Sequence, residues 1–408
     1  MQAKQVLHKL LDTTCLMMHQ TRRTALEVNV MAALSGTRLT VTDLGRSMQS
    51  EAKQKHCIKR ADRLLSNPHL HRERLAVYRH LTTLFIGSQQ RPIVIVDWSD
   101  LDACGRHFLL RASVPVVGRS LTLYEEVHTK KGKEKPKTHL HFLRTLKTMI
   151  PEGCCPIIVS DAGFRVPWFT LVESFGWDWV GRIRGATLMR WDKDEAWFHC
   201  KSLYEKATRT PRALGKAEVT RSNPMACQLV LYKSKPKGRI NMNRFGGRSR
   251  AWHSLKQSAR EREPWLLATS LPFSSQLAGK LVKLYELRMQ IEESFRDLKS
   301  TRFGLSLAFH LTWQVERLQV MLLIASLALM VAWLMGKATE LTGQHWQYQA
   351  NTIRHRKVLS TIFIGLKVID DLRVSLKASD LVAAWQDLDR IIQSHCEFEP
   401  VASRVNSR

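Results

Sequence analysis

The stretch from Tyr285 to Lys299 repeats its charged residues at helical spacing. At about 100° per residue, one α-helix would project five of its side chains within roughly 80° of one another, namely Tyr285, Arg288, Glu292, Arg296 and Lys299. A second, apolar stripe would face a core, and it comprises Leu284, Leu287, Ile291, Phe295 and Leu298. This geometry singles out Glu292 as an acid among cations, and it predicts solvent-facing positions for Glu286, Glu293 and Asp297. An ordinary amphipathic helix with a solvated charged face is the alternative.

Two aspartates upstream each follow a short apolar run that is typical of a buried strand. Asp97 closes the run PIVIVD, and Asp161 closes the run PIIVSD. Ligand-binding groups gather where the strands of open α/β sheets end, so both acids are candidate ligands. The alternative for Asp161 is a cap on the helix predicted from Phe164 to Phe175. Asp100 and Asp102 are rival candidates, and we expect them in a loop.

Two Asp and one Glu on rigid elements, with Arg and Lys around them, suit phosphoryl chemistry with divalent metals. Hard cations such as Mg²⁺ prefer carboxylate oxygen and need few protein ligands. Two such ions, about 3.5–4 Å apart, can activate a water and stabilise the leaving oxygen of a phosphodiester. We therefore expect Asp97, Asp161 and Glu292 to hold two Mg²⁺ ions, for which Mn²⁺ can substitute.

Four of these residues also match a known pattern. Tyr285, Arg288, Glu292 and Lys299 reproduce the Y-(2)-R-(3)-E-(6)-K signature of bacterial insertion-sequence DDE transposases. The chain resembles the insertion-sequence-four family and, within it, the insertion-sequence-ten branch. The likeness continues at both aspartates, in IVDWS and VSDAGF, and in KRADRLL nearer the start of the chain.

The resemblance implies further DNA contacts. It assigns phosphate contacts near the cut to three signature residues, Tyr285, Arg288 and Lys299. Trp265 matches a Trp that stacks on a base flipped out of the duplex, a contact that can contribute ~1–3 kcal/mol; a core Trp at a strand edge is the alternative. Arg182 and Arg184, at the end of a predicted strand, are expected to bind phosphate as well.

Residues 1–88 are predicted to be helical, with helices near 24–35, 42–48 and 51–66. Thr40 and Asp43 resemble a capping box for the second helix, and Asn67-Pro68 ends the third. The third helix has an apolar back and a cationic front, as a helix-turn-helix recognition helix requires. Its cationic side consists of Lys53, His56, Lys59, Arg60 and Arg63. A simply solvated basic helix is the alternative, and the resemblance implies a DNA-binding domain here.

The predicted fold class is α/β. Strands at 93–98, 108–114 and 120–127, a helix at 138–149 and a strand at 157–160 follow the order of an RNase H-like catalytic core. The predicted domains are this core in two parts (89–184 and 264–336), a β-rich insertion (185–263, with a strand at 228–233), the N-terminal domain and a helical C-terminal domain (337–408). We expect the basic run from Lys233 to Arg250 to become ordered on DNA.

Composition agrees with a nucleic-acid partner. The chain has 63 Lys plus Arg against 36 Asp plus Glu, a net charge of +27, which implies a polyanionic partner and salt-sensitive binding. Its eight cysteines are irregularly spaced without a C-x-x-C pair, which argues against a disulfide framework and a structural zinc site. The N-terminus also lacks the features of a secretory signal, so we expect a bacterial cytoplasmic protein, associated with the nucleoid when bound to DNA.

One uncharged stretch, the 17 residues from Val320 to Gly336, is at the short end of what spans a bilayer. A helix buried inside a protein is also hydrophobic all round, so we predict burial and no membrane partner.

The sequence thus predicts a cut-and-paste transposase that cleaves the inverted-repeat ends of its element through a hairpin and joins them to target DNA. The hairpin, the joining step and pairing of two subunits in a synaptic complex rest on the resemblance. The alternatives are a catalytically inactive, domesticated DNA-binding protein and a metal-dependent nuclease without joining activity.

Overall fold

A computed structural model describes residues 2–15, 17–36, 38–102, 104–235, 247–252, 255, 263–371 and 373–395. Residues 236–246, and with them most of the basic run from Lys233 to Arg250, lie outside this described part. The chain divides into two compact units. Unit 1 comprises residues 1–154 and 289–408, and unit 2 comprises residues 155–288. Unit 1 is therefore discontinuous in sequence.

Unit 1 contains an antiparallel sheet in the order β3-β2-β1. Its strands are β1 (Ile93–Asp100), β2 (His107–Pro115) and β3 (Ser120–Thr129), which confirms the three predicted strands to within a few residues. The Ile-Val-Ile-Val start of β1 is at most 1% exposed. This run is buried on both faces, as its unbroken β-branched sequence predicts.

Five helices precede this sheet: α1 (Ala3–Thr14), α2 (Gln20–Ser35), α3 (Val41–Arg46), α4 (Gln54–Leu65) and α5 (Pro68–Ile86). The predicted cap of α3 is confirmed, since the Thr40 side chain accepts the Asp43 N–H at 3.1 Å. Helix α4 ends before Asn67, as predicted, and Asn67 caps α5, with Pro68 in its first turn. Helices α3 and α4 touch at Gly45, where a Cβ would lie 2.3 Å from the Ile58 Cα. Only glycine permits this close crossing.

The later helices of unit 1 are α6 (Pro136–Met149), α9 (Met289–Lys299), α10 (Val315–Leu341), α11 (Thr361–Val368) and α12 (Ala378–Ser394). Helix α10 is long and apolar enough to cross a membrane, yet 94% of its most apolar window is buried inside the protein. It packs against α1, α2, α5, α11, α12 and β3. The predicted burial of residues 320–336 is therefore confirmed, and α10 is the central core helix of unit 1.

In its described residues, unit 2 orders its strands β4-β5-β10-β9-β8-β6-β7. They are β4 (Ile157–Ser160), β5 (Asp178–Ile183), β6 (Leu188–Arg190), β7 (Phe198–His199), β8 (Arg212–Val219), β9 (Met225–Tyr232) and β10 (Trp265–Thr269). Helices α7 (Val166–Ser174) and α8 (Leu277–Leu287) pack against these strands. Strands β4 and β5 run parallel. Strands β6 to β9 fall within the span predicted to be β-rich.

The prediction of one continuous helix through the signature is wrong. Helix α8 ends at Leu287, and α9 begins at Met289. At Arg288 the backbone N–H bonds the Tyr285 carbonyl at 3.2 Å, an i→i−3 contact that interrupts the i→i−4 ladder. Each half keeps its predicted apolar face, with Leu284, Ile291, Phe295 and Leu298 buried and Leu287 half-buried.

Candidate active site

Asp97 lies inside β1 rather than at its end, because the strand continues to Asp100. The prediction that Asp97 closes the strand is thus wrong, although its burial is confirmed at 8% exposure. Its Oδ1 accepts the Trp98 N–H at 2.8 Å. Asp97 pairs in register with Arg111 of β2, so both side chains lie on one face of the sheet.

A buried ionic row continues across that face. Arg111 pairs in register with Glu125 of β3 and donates from Nε to Glu125 Oε2 at 2.8 Å. The hydroxyls of Tyr78 and Ser326 both donate to Glu125 Oε1 at 2.8 Å. Sequence reasoning missed this row. The available signal was an Arg inside the otherwise apolar run FLLRASV, since a buried charge requires a partner.

Helix α9 covers this same face. It packs against β1, β2 and β3, and the Arg111 guanidinium lies 5.2 Å from the centre of the Phe295 ring. At its C-terminal end, Lys299 Nζ donates to Ser99 Oγ at 2.9 Å and to the Asp100 carbonyl at 3.1 Å. Burial lowers the pKa of Lys299. The charge of Asp100 opposes this shift, and that of Arg111 adds to it. Lys299 is therefore fixed to β1 two residues beyond Asp97.

The acids of α9 occupy different environments. Glu292 is exposed, whereas Asp297 is 1% exposed and receives hydrogen bonds from Arg119. The predicted solvent position of Asp297 is wrong, because Arg119 follows β2 and reaches this helix. Burial raises the pKa of Asp297, although Arg119 lowers it in part. Glu293 is half-buried, with an oxygen 3.8 Å from Arg119, and Glu286 of α8 is exposed as predicted.

In unit 2, Asp161 immediately follows β4, as predicted. Its Oδ1 accepts the Gly163 N–H at 2.8 Å and so stabilises a tight turn. Helix α7 begins only at Val166, with Arg165 as its N-cap residue. Asp161 is thus a turn residue, and the helix-cap alternative is wrong.

Asp161 lines a cleft of about 1440 Å³ within unit 2. Its other charged lining residues are Arg165, Arg182, Arg184, Lys201, Arg221 and Glu263. Arg182 donates to the carbonyls of Glu263 and Pro264 at 3.3 Å, and Arg184 donates to Glu263 Oε2 at 3.1 Å. Burial lowers the pKa of Arg182. The lining carries five cations against two acids, so the cleft favours an anionic ligand.

The family model described as "Transposase DDE domain" matches residues 88–329, more than half of the chain. The chain belongs to this transposase family. A search of curated proteins found no significant match. Membership gives the protein a DNA substrate and the chemistry of phosphodiester cleavage and transesterification. DDE transposase domains generally use divalent metal ions.

Trp265 of the transposase is half-buried at the start of β10. Its ring meets Tyr232 and Tyr285 edge-on, at centroid distances of 5.8 and 5.1 Å. Tyr285 is 4% exposed, and the Arg288 guanidinium lies 5.6 Å from its ring centre. The structure thus joins Trp265, Tyr285 and Arg288 in one cluster in which Trp265 is half-buried.

The basic residues of the predicted recognition helix are all exposed, while Cys57, Ala61, Leu64 and Leu65 are buried. The exposed set is Lys53, His56, Lys59, Arg60 and Arg63. Lys53 is the N-cap residue of α4, and the other four lie in the helix. The predicted apolar back and cationic front of α4 are therefore confirmed as geometry.

The three proposed ligands of the transposase lie on separate elements: Asp97 on β1, Glu292 on α9, and Asp161 after β4. Among the residues that the structure describes, no three His, Cys, Asp or Glu side chains are grouped closely enough to hold one metal ion. Asp97 and Glu292 belong to unit 1 and Asp161 to unit 2. Their joint role as ligands stays a prediction.

Proposed function

We propose that this protein is a cut-and-paste transposase of the insertion-sequence-four family, in the insertion-sequence-ten branch. The observation that carries the proposal is that the transposase match over residues 88–329 encloses Asp97, Asp161, Glu292 and the whole Tyr-Arg-Glu-Lys signature. In this proposal, β1–β5 and β10 form an RNase H-like core, β6–β9 form its insertion, and helical domains flank it.

The chemistry of the donor set fits a hard divalent cation. Asp97, Asp161 and Glu292 offer only carboxylate oxygen, which Mg²⁺ and Mn²⁺ prefer. We propose these three as ligands of two Mg²⁺ ions. When bound, such ions supply activation of the attacking water and stabilisation of the leaving oxygen.

The other roles belong to the chain itself. Lys299 is held against β1 by Ser99 and Asp100, so its charge is fixed near Asp97 and suited to a phosphate at the cut. Arg182 and Arg184 share Glu263, which orients both guanidinium groups along the cleft that holds Asp161. Their positions at the end of β5 support phosphate binding in this cleft.

Trp265 supports the hairpin step. A base turned out of the duplex can stack on its half-buried ring, which Tyr232 and Tyr285 hold in place through edge-to-face contacts. Such stacking contributes about 1–3 kcal/mol, enough to offset unstacking. The exposed basic face of α4 would bind the terminal repeats, and two copies of the chain would pair the two ends in the bacterial cytoplasm.

Incubation with Mg²⁺ and DNA carrying the flanking inverted repeats of its own locus tests the proposal. We expect cleavage at the repeat ends, a hairpin product, and joining to a target plasmid. A domesticated binding protein would retain binding to the repeats without cleavage. A degradative nuclease would cleave any duplex regardless of its terminal sequence.

A further inference from the structure

The segment that joins α9 to α10 projects apolar side chains from unit 1. Phe309, Leu311 and Trp313 are 47%, 84% and 68% exposed, respectively. We call these three residues the apolar ridge. Between them His310 is 5% exposed, and Leu307 just before them is fully buried. The segment thus alternates between residues that anchor it and residues that it presents.

The backbone of the ridge is fixed at both ends. The Leu39 N–H donates to the Leu305 carbonyl at 2.7 Å. At the other end, His107 Nε2 lies 3.1 Å from the Trp313 carbonyl, and its Nδ1 lies 2.9 Å from Asp102 Oδ2. These two contacts connect the end of the ridge to the start of β2 and to Asp102. The ridge is therefore a supported surface.

Both rings of the ridge carry an arginine on one side. The Arg106 guanidinium lies 3.6 Å from the centre of the Trp313 ring, and that of Arg38 lies 4.9 Å from the centre of the Phe309 ring. The sequence contains no acid between Asp297 and Glu316. Trp313 remains 68% exposed despite its arginine.

We propose that the apolar ridge is a stacking platform for unpaired DNA bases. The inference rests on the proposed function, which supplies DNA as the partner and strand cleavage as a source of unpaired bases. Aromatic rings stack on any base, because every base has a π-face, and neighbouring arginines add cation–π and phosphate contacts. The net charge of +27 draws the same polyanion to this surface.

A second copy of the chain is a less suitable occupant. An apolar protein interface would bury Arg38 and Arg106 with the rings that they cover, and buried charges require acidic partners. Arg106 has one in its own chain, since its Nε lies 3.9 Å from Asp102 Oδ2, so this requirement falls on Arg38. The ridge segment itself supplies no acid to a symmetric partner. Arg38 beside the Phe309 ring therefore favours a ligand that brings its own negative charge.

The test measures binding of the full chain to fluorescein-labelled oligothymidine and to a blunt duplex, by fluorescence anisotropy without divalent metal. We expect Trp313→Ala to weaken oligothymidine binding roughly tenfold and duplex binding much less. Adding Phe309→Ala should weaken oligothymidine binding further. Trp313→Phe should restore most of the affinity, because it restores a ring.

The matched control is Trp346→Ala, which removes another exposed Trp of unit 1 and should leave both affinities unchanged. The salt dependence gives a second readout. Trp313→Ala should keep the slope of log affinity against log salt, since it removes no phosphate contact. Thermal unfolding of each variant checks that the fold is retained.

Unchanged oligothymidine affinity in the Trp313→Ala and double variants would overturn the inference. So would a Trp313→Ala variant that loses self-association in sedimentation but keeps its DNA affinity, because the ridge would then contact a second copy. The assay contains no metal and no repeat sequence, so its result is separate from the cleavage test. A chain that fails to cleave yet shows ring-dependent oligothymidine binding would still support the ridge.

Discussion

The first and last turns of α9 carry acids of the same chemical type in opposite environments. Glu292 is exposed, whereas Asp297, about one and a half turns later, is buried and bound by Arg119. Between these two acids, α9 contacts the β2–β3 hairpin, where the Ser120 N–H donates to Ser294 Oγ at 2.8 Å. One helix thus carries one acid that is paired inside the fold and one that is exposed to solvent.

The same contrast between buried acids paired with arginine and exposed acids extends to Glu125. Glu125 and Asp297 are bound by Arg111 and Arg119 inside unit 1, where an arginine offsets part of the cost of burying each acid. Glu292 is exposed instead. Variants at the two kinds of site should therefore change different measurements.

The largest expected effect is at Glu292. Glu292→Gln should reduce strand cleavage by at least about a hundredfold, because it removes a carboxylate that we propose as a metal ligand. Binding to the terminal repeat should not change, since the substitution keeps the shape of an exposed side chain. Mg²⁺-dependent cleavage measured beside a gel-shift assay checks both. Cleavage at the normal rate would remove Glu292 from the site.

The opposite pattern is expected at the other end of the helix. Arg119→Met should lower the free energy of unfolding by about 3 kcal/mol at neutral pH, because Asp297 would be left buried without its cation. Burial already raises the pKa of Asp297. The loss of unfolding free energy caused by Arg119→Met should therefore become smaller as the pH falls toward the raised pKa of Asp297, where Asp297 takes up a proton.

Urea unfolding at several pH values measures the Arg119→Met deficit, with Arg296→Met on the exposed face of α9 as the control. A folded Arg119→Met variant that lost cleavage without losing stability would contradict the assignment of a structural role to Asp297 and a site role to Glu292.

Trp265 tests whether an aromatic side chain binds a DNA base as well as packing inside the fold. Trp265→Ala should slow hairpin formation roughly tenfold more than first-strand nicking, because only the hairpin requires a base to leave the duplex. Single-turnover assays that resolve the nicked and hairpin products measure the ratio. Equal losses at both steps would show that Trp265 acts by packing between its tyrosines.

The smallest effect concerns Asp102, which is also bound by its neighbours. Burial opposes ionisation of Asp102, but hydrogen bonds from the Arg106 N–H and from His107 outweigh it and lower its pKa. Ionised Asp102 therefore stabilises the fold above pH 3.8, its ordinary pKa, and this stability is lost as the pH falls through the lowered pKa. Asp102→Asn should be less stable than the wild type down to pH 3.8, and the difference should disappear only in stronger acid.

Local sequence predicted much of the fold. The β-branched runs gave β1 and β4, Thr40 gave the cap of α3, and the uncharged run 320–336 gave a buried helix. Each of these depends on interactions within a few residues, or on hydrophobicity alone. The apolar and cationic faces of α4 were predictable for the same reason.

Contacts between distant residues were not predictable from spacing. Asp297 is buried because Arg119, which is 178 positions away, reaches it. Helical periodicity treats α9 as an isolated cylinder and therefore placed Asp297 in solvent. The interruption at Arg288 leaves the periodic pattern almost intact, because the residue keeps helical backbone angles while only its hydrogen bond changes.

The discontinuity of unit 1 sets the order of events during synthesis. Its first segment ends at Cys154, and α10, which fills the centre of that unit, begins at Val315. At about 5–20 residues per second, a ribosome needs roughly 8–30 s to make the intervening chain. For that time strand β3 and helices α1, α2 and α5 lack the helix on which they pack. A prematurely terminated product that stops before residue 315 would leave those apolar surfaces exposed to aggregation.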